Sequence, residues 1–448
     1  MLPTAPPPVT ERTQVGIVGA GPAGLMLAHL LRTAGIDAIV IDNRTREQIA
    51  HTHRAGILEH GSVALLTESG ARTRVLTEGH RHDGIDVRVD GESHRIDFRA
   101  TVGESVWLYP QNEVFADLAA TADADGTEVH YGVADTVPGG FETDRPAVAF
   151  TDAHGVRRRI ACDWLVGADG SRSACRRAVG EGALTRYFHE YPFAWFGILV
   201  QAPPSAPELI YARSQRGFAL ISQRSADVQR MYFQCDPGED PAAWSDDRIW
   251  AELTARIAGP DGLALQTGPI FEKTVLPFRS TVTHPMRHGR LLLAGDAAHT
   301  VPPTGAKGLN LAFADVAVLF AALRAELVDG RRAGLDAYSA TALERVWRAQ
   351  SFSSWLTSML HRSESASPFE EMRALGELRG VLASPYGRQY LAEAYTGWPR
   401  ARARRPAGPA RPVGAPVADP SPQQRPPHHQ HSPSEGGSDD TAVSGAAV

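Results

Sequence analysis

Hydrophobic and polar positions change their period several times along the chain. Residues 14–19, QVGIVG, are a short apolar run that ends in glycine and read as a strand entering a turn. Residues 22–34, PAGLMLAHLLRTA, carry apolar positions at helical spacing, and residues 37–42, DAIVID, read as a second strand ending in an acid. The three pieces make a β-α-β unit of about 30 residues. WLYPQNEVFADLAAT at 107–121 predicts a strand end, a loop and a helix, and IACDWLVGADG at 160–170 predicts a strand feeding a tight turn. From 191 to 235 the pattern alternates, as in YPFAWFGILV, ELIYARS, GFALISQ and QRMYFQC, which predicts several antiparallel strands with short turns. SDDRIWAELTARI from 245 predicts a helix, and strand signals follow at 271–278 and 290–294. One helix is expected from 309 to about 326, and another over 335–361 with Trp347, Phe352 and Trp355.

Composition narrows the class. A chain of 448 residues has room for two or three domains, and 43% apolar with 21% charged residues is ordinary for a globular protein. A formal charge of −6 without a basic block argues against a nucleic-acid partner. Apolar runs stop near ten residues, too short to span a bilayer. MLPTAPPPVTER lacks the pattern of a signal peptide. Cys162, Cys175 and Cys235 fit neither a disulfide framework nor a zinc set, so no metal is expected and a reducing cytoplasm suits best. Residues 1–12 are expected to be disordered. So is the stretch 400–448, rich in Pro, Arg, Ser, Gly and His, whose HHQH at 428–431 is not taken as a metal site.

Candidate chemistry begins at GAGPAG, 19–24. Gly19 makes the tight turn, Gly21 lets backbone approach a pyrophosphate, and Gly24 lets helix and strand pack closely. The following helix offers its amides and dipole to an anion. Asp42, eighteen positions beyond Gly24, suits a ribose hydroxyl pair. This unit alone does not separate NAD from FAD. GADG at 167–170 and GDAAH at 295–299 each place an aspartate, Asp169 and Asp296, in a small-residue turn after an apolar strand. The three in this order resemble the FAD-dependent aromatic-ring hydroxylases, the single-component flavoprotein monooxygenases. The likeness runs from about 13 to 399 through RAGILEHG (54–61), YPFAWFGIL (191–199), ELIYARSQRGFALISQRS (208–225), RLLLAGDAAHTVPPTGAKGLNLA (290–312) and EAYTGWP (393–399).

That resemblance implies an α/β fold. A Rossmann-like FAD-binding domain (13–185) would be joined by a mixed or antiparallel sheet domain for substrate (186–290) and a C-terminal region (291–399) that completes the flavin site and is otherwise helical. FAD would meet Asp42 at the adenosine ribose, Arg54 and Gln111 at the diphosphate and ribitol, and Asp169 and Asp296 in their turns. Thr304, Gly308, Leu309 and Asn310 would lie along the flavin ring, with Arg230 positioning it. The co-substrate would be NADH or NADPH. Arg44 and Arg46 are candidates for a 2′-phosphate, while Asn43 and Thr52 depart from the family pattern and weaken a strict NADPH requirement. A homodimer is implied.

The substrate site is partly readable by itself. Ser222 and Arg224 are two apart and share a strand face, and Tyr232 on a later strand can converge with them. A guanidinium fork with two hydroxyls grips a carboxylate, although a solvent-facing Arg and an ordinary edge Ser fit the residues as well. The resemblance makes them a carboxylate clamp. It also makes Tyr211 and Tyr395 a proton chain from a para hydroxyl, with His82, titrating near neutrality, at its outer end. The carbonyl of Pro303 would meet the substrate hydroxyl, and Lys307 would add positive potential that lowers the phenol pKa. The implied reaction is hydroxylation of 4-hydroxybenzoate at C3 with O2 and NAD(P)H. The alternatives are a related para-substituted benzoate such as 4-aminobenzoate, or an FAD oxidase or reductase without hydroxylation.

Overall fold

The computed structural model describes residues 8–398 apart from 53–55, 181 and 364, so Arg54 and the tail lie outside the described residues. The β-α-β unit forms as its pattern requires: strand Val15–Val18, helix Pro22–Thr33, strand Ala38–Asp42. Apart from the terminal Asp42 both strands are apolar, and each is flanked on both sides by parallel neighbours, the situation in which a strand needs no polar face. The sheet has six strands in the order Arg287–His288, Leu291–Leu293, Trp164–Gly167, Val15–Val18, Ala38–Asp42, Glu128–Tyr131. All its pairs are parallel except the one at the Arg287–His288 edge. Helix Pro22–Thr33 packs on it, and helices Gln111–Asp125 and Gly308–Asp329 pack against that helix.

The second large sheet has eight strands: His299–Thr300, Ile270–His284, Thr185–Gln201, Val228–Cys235, Gly217–Gln223, Ile210–Ser214, Gly84–Val89 and Glu92–Asp97. Its pairs are antiparallel except Ile210–Ser214 with Gly84–Val89. This corrects the domain boundaries drawn from sequence. The hairpin 84–97 lies within the stretch assigned to the first domain, yet it extends the substrate sheet through that one parallel pairing. Val9–Arg12, expected to be disordered, is a strand pairing in parallel with Arg157–Ala161, which satisfies its backbone groups. The helices expected near 245, 309 and 335 span Asp246–Ile257, Gly308–Asp329 and Ala333–Leu360. Ser245 caps the first of them through the amide of Arg248. Helices Pro368–Ala383 and Pro385–Thr396 follow. No helix among the described residues is long and apolar enough to cross a membrane.

Candidate active site

The glycine-rich turn is sterically determined. Gly19 has φ +113°, and a Cβ there would lie 2.2 Å from the carbonyl oxygen of Ala168. A Cβ on Gly24 would lie 1.8 Å from the carbonyl oxygen of Gly19. Gly21 differs: a Cβ would meet nothing within 4 Å, so the turn opens onto free space at a helix N-terminus. Asp42 sits beside it, accepting from the amide of Ala20 at 2.8 Å and that of Arg44 at 2.9 Å. Asp169 uses one oxygen to accept from the amides of Ala174 (2.6 Å) and Cys175 (3.1 Å), while its other oxygen is buried without a partner. Asp296 is half-buried in the turn Gly295–Ala297. The same turn is braced from below: Asp315 accepts from the amide of Gly295 at 2.9 Å and pairs with His299 at 2.6 Å.

A cavity opens between the eight-stranded sheet and the segments that carry Ile57, Tyr109 and Pro303, with Trp195, Tyr211, Arg224, Arg230 and Tyr232 among its other walls. Sheet register explains the convergence. Tyr211 pairs with Leu220, Leu220 with Tyr232, and Tyr232 with Gly197, so these four share one row. Gly197 makes room, since a Cβ there would approach the Tyr232 ring to 2.8 Å. Ser222 pairs with Arg230 one step along the same face. Ser222, Arg224 and Tyr232 all line this cavity. Arg224 is half-buried, and burial followed by the nearby Arg230 lowers its pKa. Nε and Nη1 of Arg230 are buried without hydrogen-bond partners.

The Tyr211 hydroxyl is 2.8 Å from that of Tyr395 and donates to the carbonyl of Thr304 at 3.2 Å. Both rings are fully buried, and burial raises both pKa values; the mutual hydrogen bond opposes this for Tyr211 and adds to it for Tyr395. His82 is reached from the cavity wall through Gln223, beside Ser222 and Arg224, and it is not solvent-facing. It is 1% exposed, and its Nε2 lies 2.9 Å from the side-chain nitrogen of Gln223. Burial pulls its pKa down to about 4, which corrects the expectation of titration near neutrality.

The loop that carries Pro303 and Lys307 is tied down more tightly than its sequence suggests. Lys307 is 1% exposed and donates to Glu59 (2.7 Å) and to the carbonyl of Tyr395 (3.0 Å). Burial lowers its pKa, and the Glu59 charge opposes that. Asn310 braces the segment 57–62: its oxygen accepts from the Glu59 amide and Ser62 hydroxyl, and its nitrogen donates to the carbonyls of Ile57 and Ala306. That side chain is fully engaged within the protein. Thr304 is buried, with its hydroxyl accepting from Thr357 at 2.9 Å. Gly308 and Leu309 open the next helix, Gln111 opens the helix Gln111–Asp125, and Gly308, like Gly21, faces free space.

Arg44 and Arg46 are not brought to the cavity. Arg44 folds back onto Asp42 at 3.2 Å, and Arg46 pairs with Asp123 at 2.8 Å. Sequence reasoning missed Glu59, Asn112 and Gln223, whose contacts with Lys307, Arg224 and His82 span long stretches of chain. It also gave no role to Trp195, whose indole donates to His361 at 2.7 Å and packs 4.8 Å from Tyr232.

A glycine-lined dinucleotide turn beside a polar-ended aromatic cavity defines a flavin-binding hydroxylase. The chain belongs to that class: the family described as "FAD binding domain" matches residues 12–353. Within it, the chain is 43% identical over 391 residues to p-hydroxybenzoate hydroxylase of Acinetobacter baylyi, covering 87% of this chain and 96% of the relative. It is 28% identical to a 3-(3-hydroxy-phenyl)propionate/3-hydroxycinnamic acid hydroxylase of Burkholderia vietnamiensis, spanning 79% of this chain and 55% of that longer relative. The solved structure of p-nitrophenol 4-monooxygenase PnpA from Pseudomonas putida shares the fold, with a TM-score of 0.74 at 19% identity over 88% of this chain and all of that one. The residues present fit FAD: free space faces Gly21 and Gly308, and the unpartnered atoms of Asp169 and Arg230 await polar partners.

Proposed function

We propose that the chain hydroxylates 4-hydroxybenzoate at C3, giving 3,4-dihydroxybenzoate with O2 and NAD(P)H. One observation carries this reading: a guanidinium, Arg224, and a buried tyrosine, Tyr211, stand in the walls of a single apolar cavity, and Tyr211 is hydrogen-bonded to a second buried tyrosine, Tyr395, behind it. That arrangement matches an aromatic acid with a proton to lose at its far end. It gives a 4-amino analogue no use for the relay, and the clamp argues against a plain oxidase or reductase. FAD, when bound, takes electrons from the nicotinamide and activates oxygen.

The chain's own residues do the rest. Arg224, with Ser222 and Tyr232, holds the carboxylate and fixes the ring's orientation. The Tyr211 hydroxyl turns from the Thr304 carbonyl to the para oxygen, takes its proton and passes its own to Tyr395, which in turn releases its hydroxyl proton to water as the final acceptor. Both tyrosines have pKa values raised by burial, so they relay the proton rather than store the charge. The resulting phenolate enriches the ortho carbon that is to be attacked. Lys307 offers positive potential, moderated by Glu59. Gln223, the last residue of the strand that carries Ser222, contacts His82, and His82 is neutral at pH 7 because burial holds its pKa near 4. The reading includes a cytoplasmic homodimer, supported by the family resemblance.

For the reductant, Arg44 and Arg46 are each already paired with an acid, which supports NADH over NADPH. The deciding experiment incubates purified protein with 4-hydroxybenzoate and either coenzyme, and measures coenzyme oxidation, peroxide and 3,4-dihydroxybenzoate. Stoichiometric catechol is expected, with the higher kcat/KM for NADH. Coenzyme oxidation that yields only peroxide overturns the proposal.

A further inference from the structure

Arg224 does not stand alone at its end of the cavity. Its Nη2 donates to Oδ1 of Asn112 at 2.7 Å, joining the eight-stranded sheet to the first turn of the helix Gln111–Asp125. The Asn112 amide is held in one orientation by what lies behind it. Its Nδ2 donates to Glu113 at 3.2 Å, and Arg74 donates to the other oxygen of Glu113 at 2.9 Å. Arg74 also donates to Asp117 at 2.6 Å, and Asp117 accepts from the hydroxyl of Tyr109, a wall of the same cavity, at 2.8 Å. Flipping the Asn112 amide would set NH2 against a guanidinium and C=O against a carboxylate. Only one orientation satisfies both neighbours.

The choice of a neutral acceptor matters. Five N–H groups radiate from a guanidinium, and an amide oxygen engages one without cancelling the charge. The fork is thereby aimed while its charge stays available to an incoming anion. A carboxylate at position 112 would satisfy Arg224 outright and would also face Glu113. We propose that Asn112 is a positioning residue that sets selectivity for a carboxylate-bearing ring, by aiming Arg224 without neutralising it. This rests on reading the cavity as a benzoate site.

The test compares two ligands that differ only in charge, 4-hydroxybenzoate and 4-hydroxybenzamide, on the FAD-loaded wild type, Asn112→Asp and Asn112→Leu. Binding is read from the change in flavin absorbance, alongside KM and kcat for the benzoate. Asn112→Asp is expected to weaken benzoate binding roughly tenfold to a hundredfold, the range of a charge-assisted hydrogen bond, while benzamide changes by about twofold at most. The loss should fall on KM, with kcat at saturation moving far less. Asn112→Leu, which adds no charge, should show a smaller loss in the same direction and keeps the test readable if the aspartate variant retains little flavin. Equal loss of both ligands would mean that Asn112 only supports the fold, and wild-type benzoate affinity in both variants would overturn the inference as well. A wild-type protein that binds neither ligand refutes the benzoate reading itself, and this inference with it.

Discussion

Replacing Tyr211 by Phe removes one oxygen from the centre of the proposed proton path. In the protein that oxygen is 2.8 Å from the Tyr395 hydroxyl and 3.2 Å from the Thr304 carbonyl, both buried. Leaving such groups short of a partner costs about 1–3 kcal/mol, a modest loss for a chain of this size. Benzoate binding loses at most one neutral hydrogen bond at the para oxygen, roughly a tenfold change in Kd. The carboxylate end, where the charge-assisted contacts are, is untouched. Hydroxylation should suffer much more, because proton transfer through a positioned group contributes about a hundredfold or more. Rapid-mixing experiments separate the steps: flavin reduction by the nicotinamide is followed anaerobically, and catechol formation after oxygen is admitted. Tyr211→Phe should reduce flavin within a few-fold of wild type and release peroxide in place of catechol. If reduction and hydroxylation fall by the same factor, or if catechol yield is unchanged, Tyr211 is not a relay.

The two remaining glycines of the turn should respond differently. Gly24→Ala drives a methyl to within 1.8 Å of the Gly19 carbonyl and should prevent folding of the turn, whereas Gly21→Ala meets open space and should give a folded protein depleted of flavin; equal flavin content in both would contradict the steric argument. Glu59→Gln strips a buried lysine of its counter-charge and should cost about 3–5 kcal/mol in urea unfolding, so wild-type stability in that variant would show that Lys307 is already neutral. The acid side of the stability profile should carry the imprint of His82. Its pKa is lowered from 6.5 to about 4 by burial, so below pH 6.5 the unfolded chain takes up the proton first. Stability that is complete above pH 6.5 is then lost as pH falls toward 4, roughly 3 kcal/mol over the window. Denaturant unfolding of His82→Gln at pH 7 and pH 5 should show a flatter dependence than wild type, and identical slopes would remove His82 from the account.

The features legible in the sequence were those imposed by local sterics and period. Gly19 and Gly24 announce themselves because no side chain fits where they stand, and Ser222 and Arg224 because two residues of strand return to the same face. The long partnerships were not legible. Glu59 reaches Lys307 across 248 positions, and Gln223 reaches His82 across 141, and nothing in either neighbourhood marks the partner. The error over His82 has the same origin. Read locally, HRHDG looks like a polar surface turn. His82 lies instead on a short strand paired with Val106–Leu108 and in contact with Gln223 across 141 positions, a choice of topology that alternation alone does not reveal. Arg44 and Arg46 illustrate the converse: a basic pair reads as a phosphate site until Asp42 and Asp123 are found against it.

Charge bookkeeping links these points to substrate choice. Lys307 is paired with Glu59, and Arg345 lies 3.7 Å from the same carboxylate, so the positive charge at that end is partly compensated before anything binds. At the other end Arg224 leans on a neutral amide, and two nitrogens of Arg230 have no partner. The uncompensated positive charge is therefore concentrated where a carboxylate would enter, and the para end offers hydroxyls and a moderated field. A neutral phenol would leave Arg224 poorly satisfied in a half-buried place, a penalty of the kind that lets a polar site reject an analogue lacking its partner. In the proposed reaction, the second negative charge, on the para oxygen, is attainable only while the tyrosines carry its proton away. Recognition at one end and deprotonation at the other are thus set by different residues, which is why changes at Asn112 and at Tyr211 should separate cleanly into binding and chemistry.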